Sequence, residues 1–333
     1  MRPERVALGD IEGALLGHGV LPRFRGGPGV SRRLADTLRG RWGLWEAGFG
    51  RYSCDLSKGV RILGRVTSAL PYALIATDLD GTLLRAGDTV SARSCAALAT
   101  ARAAGARHIV VTGRPVPQIR HVLDDLGYSG LAVCGQGAQV YDAARGVLLH
   151  SVAMDRGLAE VALGKIEAEI GEVYVAVNQE GLDAEMLVGP GYRMPHPHLP
   201  MVRVRGRGEL WASPINKVLL QHPRLDDDEL TRVARSVVGD LVNVTMAGEH
   251  TVELQPPGVD KATGLARAAS VLEVAAESTI AFGDMPNDIP MFAWAAHGVA
   301  MANAHRELVA VADEITLSNE ADGIAAVLER LFP

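Results

Sequence analysis

Cysteine is scarce in this chain: Cys54, Cys95 and Cys134 are the only three in 333 residues, and no two stand in C-x-x-C spacing. That excludes a disulfide framework and a thiolate zinc site, and a reducing, cytoplasmic setting is expected. No apolar run reaches the ~18 residues that would span a bilayer. The Arg-rich N-terminus lacks the apolar stretch and small-residue cleavage site of a secretory signal. Neither G-x-x-x-x-G-K-[ST] nor G-x-S-x-G occurs, which removes P-loop NTPases and nucleophile-elbow hydrolases. Gly135-Gln136-Gly137 has no third glycine, so it does not read as a dinucleotide fingerprint.

Hydrophobic residues make up 48% and charged residues 22%, a globular balance. The net charge of -6 conceals an asymmetry. Residues 1–70 hold twelve basic and six acidic side chains, and the remainder holds 21 basic and 33 acidic. An acidic body argues against nucleic acid as a partner, because phosphate backbones are gripped by clustered Lys and Arg.

Residues 1–70 are rich in Gly and Arg and read as a loosely structured basic extension. Within it, Leu34, Leu38, Trp42 and Trp45 recur at helical spacing among Arg32, Arg33, Arg39 and Arg41. That pattern over residues 32–45 suits a basic amphipathic helix for a membrane surface or partner, opposed by Gly40 and Gly43 at about 1 kcal/mol each.

From Tyr72 the pattern changes to short apolar β-rich runs alternating with helical stretches, as a parallel α/β sheet requires. A run over 73–77 ends on Asp78, a helix follows a capping Ser91 and stops at Gly105, and runs over 109–112 and 131–134 come next. Residues 154–248 read as an inserted α+β unit, with core segments at 71–153 and 249–333. A cleft between insert and core is a common place for a ligand.

The chemistry-bearing residues stand at the ends of the apolar runs. Asp78-Leu79-Asp80-Gly81-Thr82 puts two carboxylates two residues apart at a strand's C-terminal end, with Gly81 permitting the turn. One can attack a phosphate ester while the other protonates the leaving alcohol and later activates water. Taken alone the segment reads equally as a surface turn, whereas an EF-hand is excluded by the missing ligands. Thr112-Gly113-Arg114 offers a hydroxyl and a backbone N–H to a phosphoryl oxygen. Lys261 supplies a cation at a helix start, and Gly283-Asp284-Met285-Pro286-Asn287-Asp288 places oxygen ligands suited to Mg²⁺ at another strand end. By themselves, each of these three also reads as an ordinary strand exit or helix cap.

Taken together and in this order, they resemble the four motifs of the haloacid dehalogenase (HAD) superfamily over residues 72–331. The insertion between the second and third motifs, with the closing Met301-Ala302-Asn303-Ala304, resembles the Cof-type hydrolases with a type IIB cap. The resemblance implies a Rossmann-like α/β core with a parallel sheet, an inserted α+β cap, and a phosphatase acting on small phosphorylated metabolites, sugar phosphates foremost. It implies Asp78 as nucleophile and Asp80 as acid/base. Thr112, Gly113, Lys261 and Asn287 would hold phosphate. Mg²⁺ would sit on Asp78, the Asp80 carbonyl and Asp284, with Asp288 in support. One position departs: where relatives carry Asn-Gly, this chain has Gln136-Gly137.

Two rival functions stay open at this stage, a phosphomannomutase-like phosphotransferase and a non-catalytic phosphometabolite-binding module. Asn178, Glu185 and Tyr192 are candidate specificity residues of the insert. His196-Pro197-His198 lacks a third metal ligand and reads as a loop.

Overall fold

The computed structural model describes residues 53–55, 61–63, 70–194, 200–248 and 250–333. The basic segment 32–45 and the His196-Pro197-His198 loop lie outside these residues. The chain divides into two compact units, Met1–Ala69 and Leu70–Pro333. In the first, strands β1 (Ser53–Asp55) and β2 (Arg61–Leu63) pair antiparallel.

The second unit begins with β3 (Leu74–Thr77), whose four residues are all buried. A wide turn over Leu79–Leu83 follows, broken at Gly81, where φ is 70°. The helix Ala92–Ala104 starts on Ser91, whose side chain accepts from the Ser94 N–H, and ends on Gly105 at φ 110°. Its two ends are thus set by the hydroxyl and the glycine read from sequence. Strand β4 (Arg107–Val111), helix Val116–Asp125, β5 (Leu131–Cys134) and the hairpin β6 (Gln139–Asp142) and β7 (Val147–Ser151) complete the first half of the core.

The insert contains helix Arg156–Ile170, then β8 (Tyr174–Gln179), β9 (Met186–Val188), β10 (Val202–Arg203) and β11 (Ile215–Gln221). Helix Asp227–Val238, β12 (Asn243–Gly248) and β13 (Thr251–Gln255) close it. These strands form one sheet in the order β10-β9-β8-β11-β13-β12. A boundary at 248 is therefore corrected, because β13 pairs with both β11 and β12 and carries the cap sheet on to Gln255. One face of this sheet is apolar (Val175, Val177, Val218, Leu220, Leu254) and packs on the insert's two helices.

The chain then returns through helix Lys261–Val271, β14 (Thr279–Gly283), helix Ile289–Trp294, β15 (His297–Ala300), β16 (Glu314–Ile315) and helix Gly323–Leu331. The core sheet runs β16-β15-β14-β3-β4-β5-β6-β7, parallel from β16 through β5, with the β6–β7 hairpin antiparallel at one edge. Side chains alternate along each buried strand: Ile75, Val110 and Ile280 join one core layer, and Leu74, Ala76, Ile109 and Ala281 the other. The central strands β14, β3 and β4 end side by side, which brings Gly283-Asp284, Asp78 and Thr112 to the same edge of the sheet.

Candidate active site

Asp78 is the first residue beyond β3, and its N–H donates to the Phe282 carbonyl at 3.0 Å, tying it to β14. The side chain is nearly buried. Lys261 Nζ donates to Asp78 Oδ1 and Asp288 Oδ1, both at 2.7 Å, although the three residues lie far apart in sequence. Lys261 heads a helix capped by Asp260, whose carboxylate accepts the Thr263 N–H at 2.8 Å. The helix approaches closely because Gly264 has no Cβ: one there would lie 2.5 Å from both the Gly137 Cα and Val133 Cγ1.

Asp284 accepts from Thr82 Oγ1 at 2.9 Å, and Gly81 leaves room for its other oxygen, which a Cβ at position 81 would overlap. Asp288, fully buried, accepts the backbone N–H groups of Asp284 and Met285 at 3.0 and 3.1 Å with one oxygen and Lys261 with the other. It thereby clamps the 284–288 turn around the lysine. Carboxylate oxygens of Asp78, Asp284 and Asp288 lie within 4.8 Å of one another.

The electrostatics follow from this crowding. Burial raises the Asp78 carboxyl to about 7; Lys261 opposes the rise, and Asp288 and Asp80 add to it. Burial also raises Asp284, reinforced by Asp78 and Asp288. For Lys261 burial works against the charge, but Asp288 and Asp78 outweigh it and hold the ammonium above its ordinary value. Three buried carboxylates share one ammonium, an excess of negative charge that a divalent cation bound by oxygen ligands would neutralise. The residues therefore fit Mg²⁺.

Thr112 is fully buried at the end of β4 and its Oγ1 accepts the Arg114 N–H at 3.1 Å, which leaves the hydroxyl proton to donate elsewhere. The Asp80 carboxylate is gripped by the Arg114 guanidinium, whose Nε lies 2.9 Å from Oδ2 while Nη2 reaches Oδ1. The same guanidinium holds Asp88 through Nη1 at 3.0 Å and Nη2 at 2.8 Å. Burial opposes the charge of Arg114, yet Asp88 and Asp80 keep it above its ordinary value.

A family model for haloacid dehalogenase-like hydrolases matches residues 75–328. The chain belongs to that family. This hydrolase is similar to Phosphatase YwpJ of Bacillus subtilis (strain 168), 28% identical over 288 residues that cover 78% of this chain and 99% of that one. It is similar as well to 5-amino-6-(5-phospho-D-ribitylamino)uracil phosphatase YitU of the same organism, 28% identical over 275 residues, 79% of this chain and 98% of that one. The HAD subclass IIB sugar phosphatase BT4131 shares the fold at a TM-score of 0.65 and 21% identity, covering 77% of this chain and 98% of that one. The chain is accordingly a HAD-type phosphatase with a Rossmann-like core and a cap.

Between cap and core the hydrolase has a cleft of about 310 Å³, lined by Arg235, Asn243 and Gln255 from the cap and by Gln136, Lys261 and Asn287 from the core. Gln136 takes φ 59°, and its Oε1 accepts from Asn287 Nδ2 at 3.1 Å. That contact uses one of the two N–H groups of Asn287 Nδ2, on the side chain that the family resemblance assigns to phosphate. Gln136 Nε2 and Asn287 Oδ1 are left without partners. Turning both amides over exchanges the roles, so one donor and one acceptor stay free in either assignment.

Of the cap candidates, Asn178 is buried opposite Lys217 on β11, Tyr192 is buried with its hydroxyl unpartnered, and Glu185 is exposed. Four functional-looking residues escape the sequence reading: Asp88, Lys217, Glu253 and the side chain of Arg114. The available signal was a charge inside an otherwise apolar β run, as at Lys217 and Glu253. Among the described residues no helix is long and apolar enough to cross a membrane.

Proposed function

We propose that this phosphatase hydrolyses monophosphate esters of small hydroxyl-bearing metabolites, sugar phosphates and sugar-alcohol phosphates foremost, with Mg²⁺ as cofactor. The observation that carries the reading is the Lys261 ammonium set 2.7 Å from Asp78, on a cleft to which Gln136, Asn243, Gln255 and Asn287 bring their amides. The amide donor and acceptor of Gln136 and Asn287 suit a hydroxyl, which both gives and takes a hydrogen bond. The relative YitU acts on a phosphoribityl compound, an ester of that kind.

Asp78 attacks phosphorus, the bond to the leaving oxygen breaks, and Asp80 gives its proton to that oxygen. An aspartyl phosphate and a free alcohol result. Asp80 then takes a proton from a water molecule, which attacks phosphorus and releases inorganic phosphate and the Asp78 carboxylate. The Thr112 hydroxyl, the Gly113 N–H and Lys261 hold the phosphoryl oxygens as charge shifts during transfer. Mg²⁺ would be held by Asp78, Asp284 and the Asp80 carbonyl, and would supply charge neutralisation at the phosphoryl group. Asp288 keeps Lys261 and the 284–288 turn in place.

A panel of phosphorylated sugars, sugar alcohols and nucleotides, assayed for inorganic phosphate with Mg²⁺ present, tests this reading. Release from sugar or sugar-alcohol phosphates is expected, lost in Asp78→Asn. Isomerised sugar phosphate without phosphate release would show a mutase instead, and saturable binding without turnover a binding module.

A further inference from the structure

The face of the cap sheet away from its own helices carries an apolar cluster that includes Ala176, Met186, Val188 and Leu219, and beside it a group of polar side chains. Lys217, Glu253, Gln255 and Asn243 form that group, and all but Asn243 are nearly buried. They are joined in a line. Lys217 Nζ pairs with Glu253 Oε1, Gln255 Nε2 donates to Glu253 Oε2 at 3.1 Å, and Asn243 Nδ2 donates to Gln255 Oε1 at 3.0 Å.

Both ends of the line leave the cap and land on core loops. Lys217 Nζ donates to the Gly113 carbonyl at 2.8 Å, beside Thr112. Asn243 Nδ2 donates to the Val259 carbonyl at 2.9 Å, two residues before Lys261. The cap thus touches the two loops assigned to phosphate, each through a backbone carbonyl.

The Gly113 contact has a direct chemical consequence. The carbonyl of Gly113 and the N–H of Arg114 belong to one peptide group, and that N–H donates to Thr112 Oγ1 at 3.1 Å. An ammonium on the carbonyl side polarises the peptide, strengthens its N–H as a donor and makes the Thr112 hydroxyl a better donor in turn, since hydrogen bonds in a chain reinforce one another. It also fixes the plane of the peptide from which the Arg114 side chain reaches Asp80.

We infer that Lys217 is a positioning residue. From the cap it fixes the Gly113–Arg114 peptide and so couples cap seating to the Thr112 hydroxyl, with Glu253 holding the lysine in place. The inference rests on the hydrolase reading for its choice of assay. A buried ion pair is a poor source of net stability compared with apolar residues of the same volume, so a line of buried polar groups ending on two loops is accounted for better by orientation than by folding energy.

A double-mutant cycle between Lys217 and Thr112 tests it, using the full chain with Mg²⁺. The readouts are kcat/KM on p-nitrophenyl phosphate and the affinity for orthovanadate by calorimetry. Lys217→Met is expected to lower kcat/KM about 30-fold, short of the roughly 100-fold or greater cost of losing a direct donor to the reacting group. Orthovanadate affinity should fall in parallel. In a Thr112→Val background the same lysine change should cost less than about 3-fold, because the donor that it serves is gone.

Equal losses in both backgrounds would overturn the coupling, as would wild-type activity in Lys217→Met. If Lys217→Met fails to fold with Glu253 left unpaired, Lys217→Met/Glu253→Gln is read in the same cycle. Wild-type protein that turns over no phosphate ester, with a non-additive orthovanadate cycle, would sink the hydrolase reading alone. Turnover with an additive cycle would sink this inference alone.

Discussion

Arg114 grips Asp80 with two nitrogens of its guanidinium and Asp88 with two, so one nearly buried side chain fixes the Asp80 carboxylate, proposed as the acid/base, against a second carboxylate 8 residues further on. Planar bidentate recognition of this kind is available to arginine and not to lysine.

Arg114→Lys is therefore expected to lower kcat on the order of 100-fold while KM changes little, because the role proposed for Asp80 lies in the chemical step and not in ground-state binding. Asp88→Asn should cost less, about 10-fold, since the contact to Asp80 survives. Steady-state kinetics on p-nitrophenyl phosphate measure both, and an Arg114→Lys enzyme with unchanged kcat would remove the positioning role.

Asp78 carries a cost when metal is absent. Its carboxyl is raised from 3.8 to about 7 in the folded chain. Between those values the folded state holds a proton that the unfolded state has released, so this group's contribution to stability falls as pH rises through that window. In EDTA at pH 8, Asp78→Asn should stabilise the protein by about 2 kcal/mol. The advantage should vanish near pH 4 and shrink when Mg²⁺ is added. Urea unfolding at the two pH values reads it, and a destabilised Asp78→Asn protein at pH 8 would contradict it.

His108 makes the opposite prediction. It is buried on β4 with Nε2 2.9 Å from Thr77 Oγ1, and burial, aided by Arg102, lowers it from 6.5 to about 3. The folded state keeps the ring neutral where the unfolded state is protonated, so the stability is whole above 6.5 and is lost as pH falls toward 3. Between pH 7 and 5 the loss should be about 2 kcal/mol, and His108→Gln should lack it. Matching pH slopes for the two proteins would show that the ring titrates as it does in water.

Much of the core and its loops was legible in the sequence because each chemical group sits in a short polar cluster directly after an apolar run. The strand Leu131–Cys134 and the cap of the helix after Ser91 emerge as read. What escaped was long-range pairing of charges. Glu253 lies beyond the insert boundary expected at 248, and its burial on β13 goes with an ion pair to Lys217 on the neighbouring strand β11, a contact that no local pattern displays. The Arg114 side chain had no assigned role in the sequence, and only the fold brings it to Asp80 and Asp88. Gln136 was visible as a departure, and only the fold shows that its extra methylene lets it meet Asn287.

The central claim is that Asp78 becomes covalently phosphorylated, and trapping that species tests it most directly. Enzyme mixed with p-nitrophenyl phosphate and Mg²⁺, quenched in acid within a turnover and treated with borohydride, should yield homoserine at position 78 in peptide mass spectrometry, and none in Asp78→Asn. Rapid phosphate release with no label at position 78, or with label on another residue, would contradict the account.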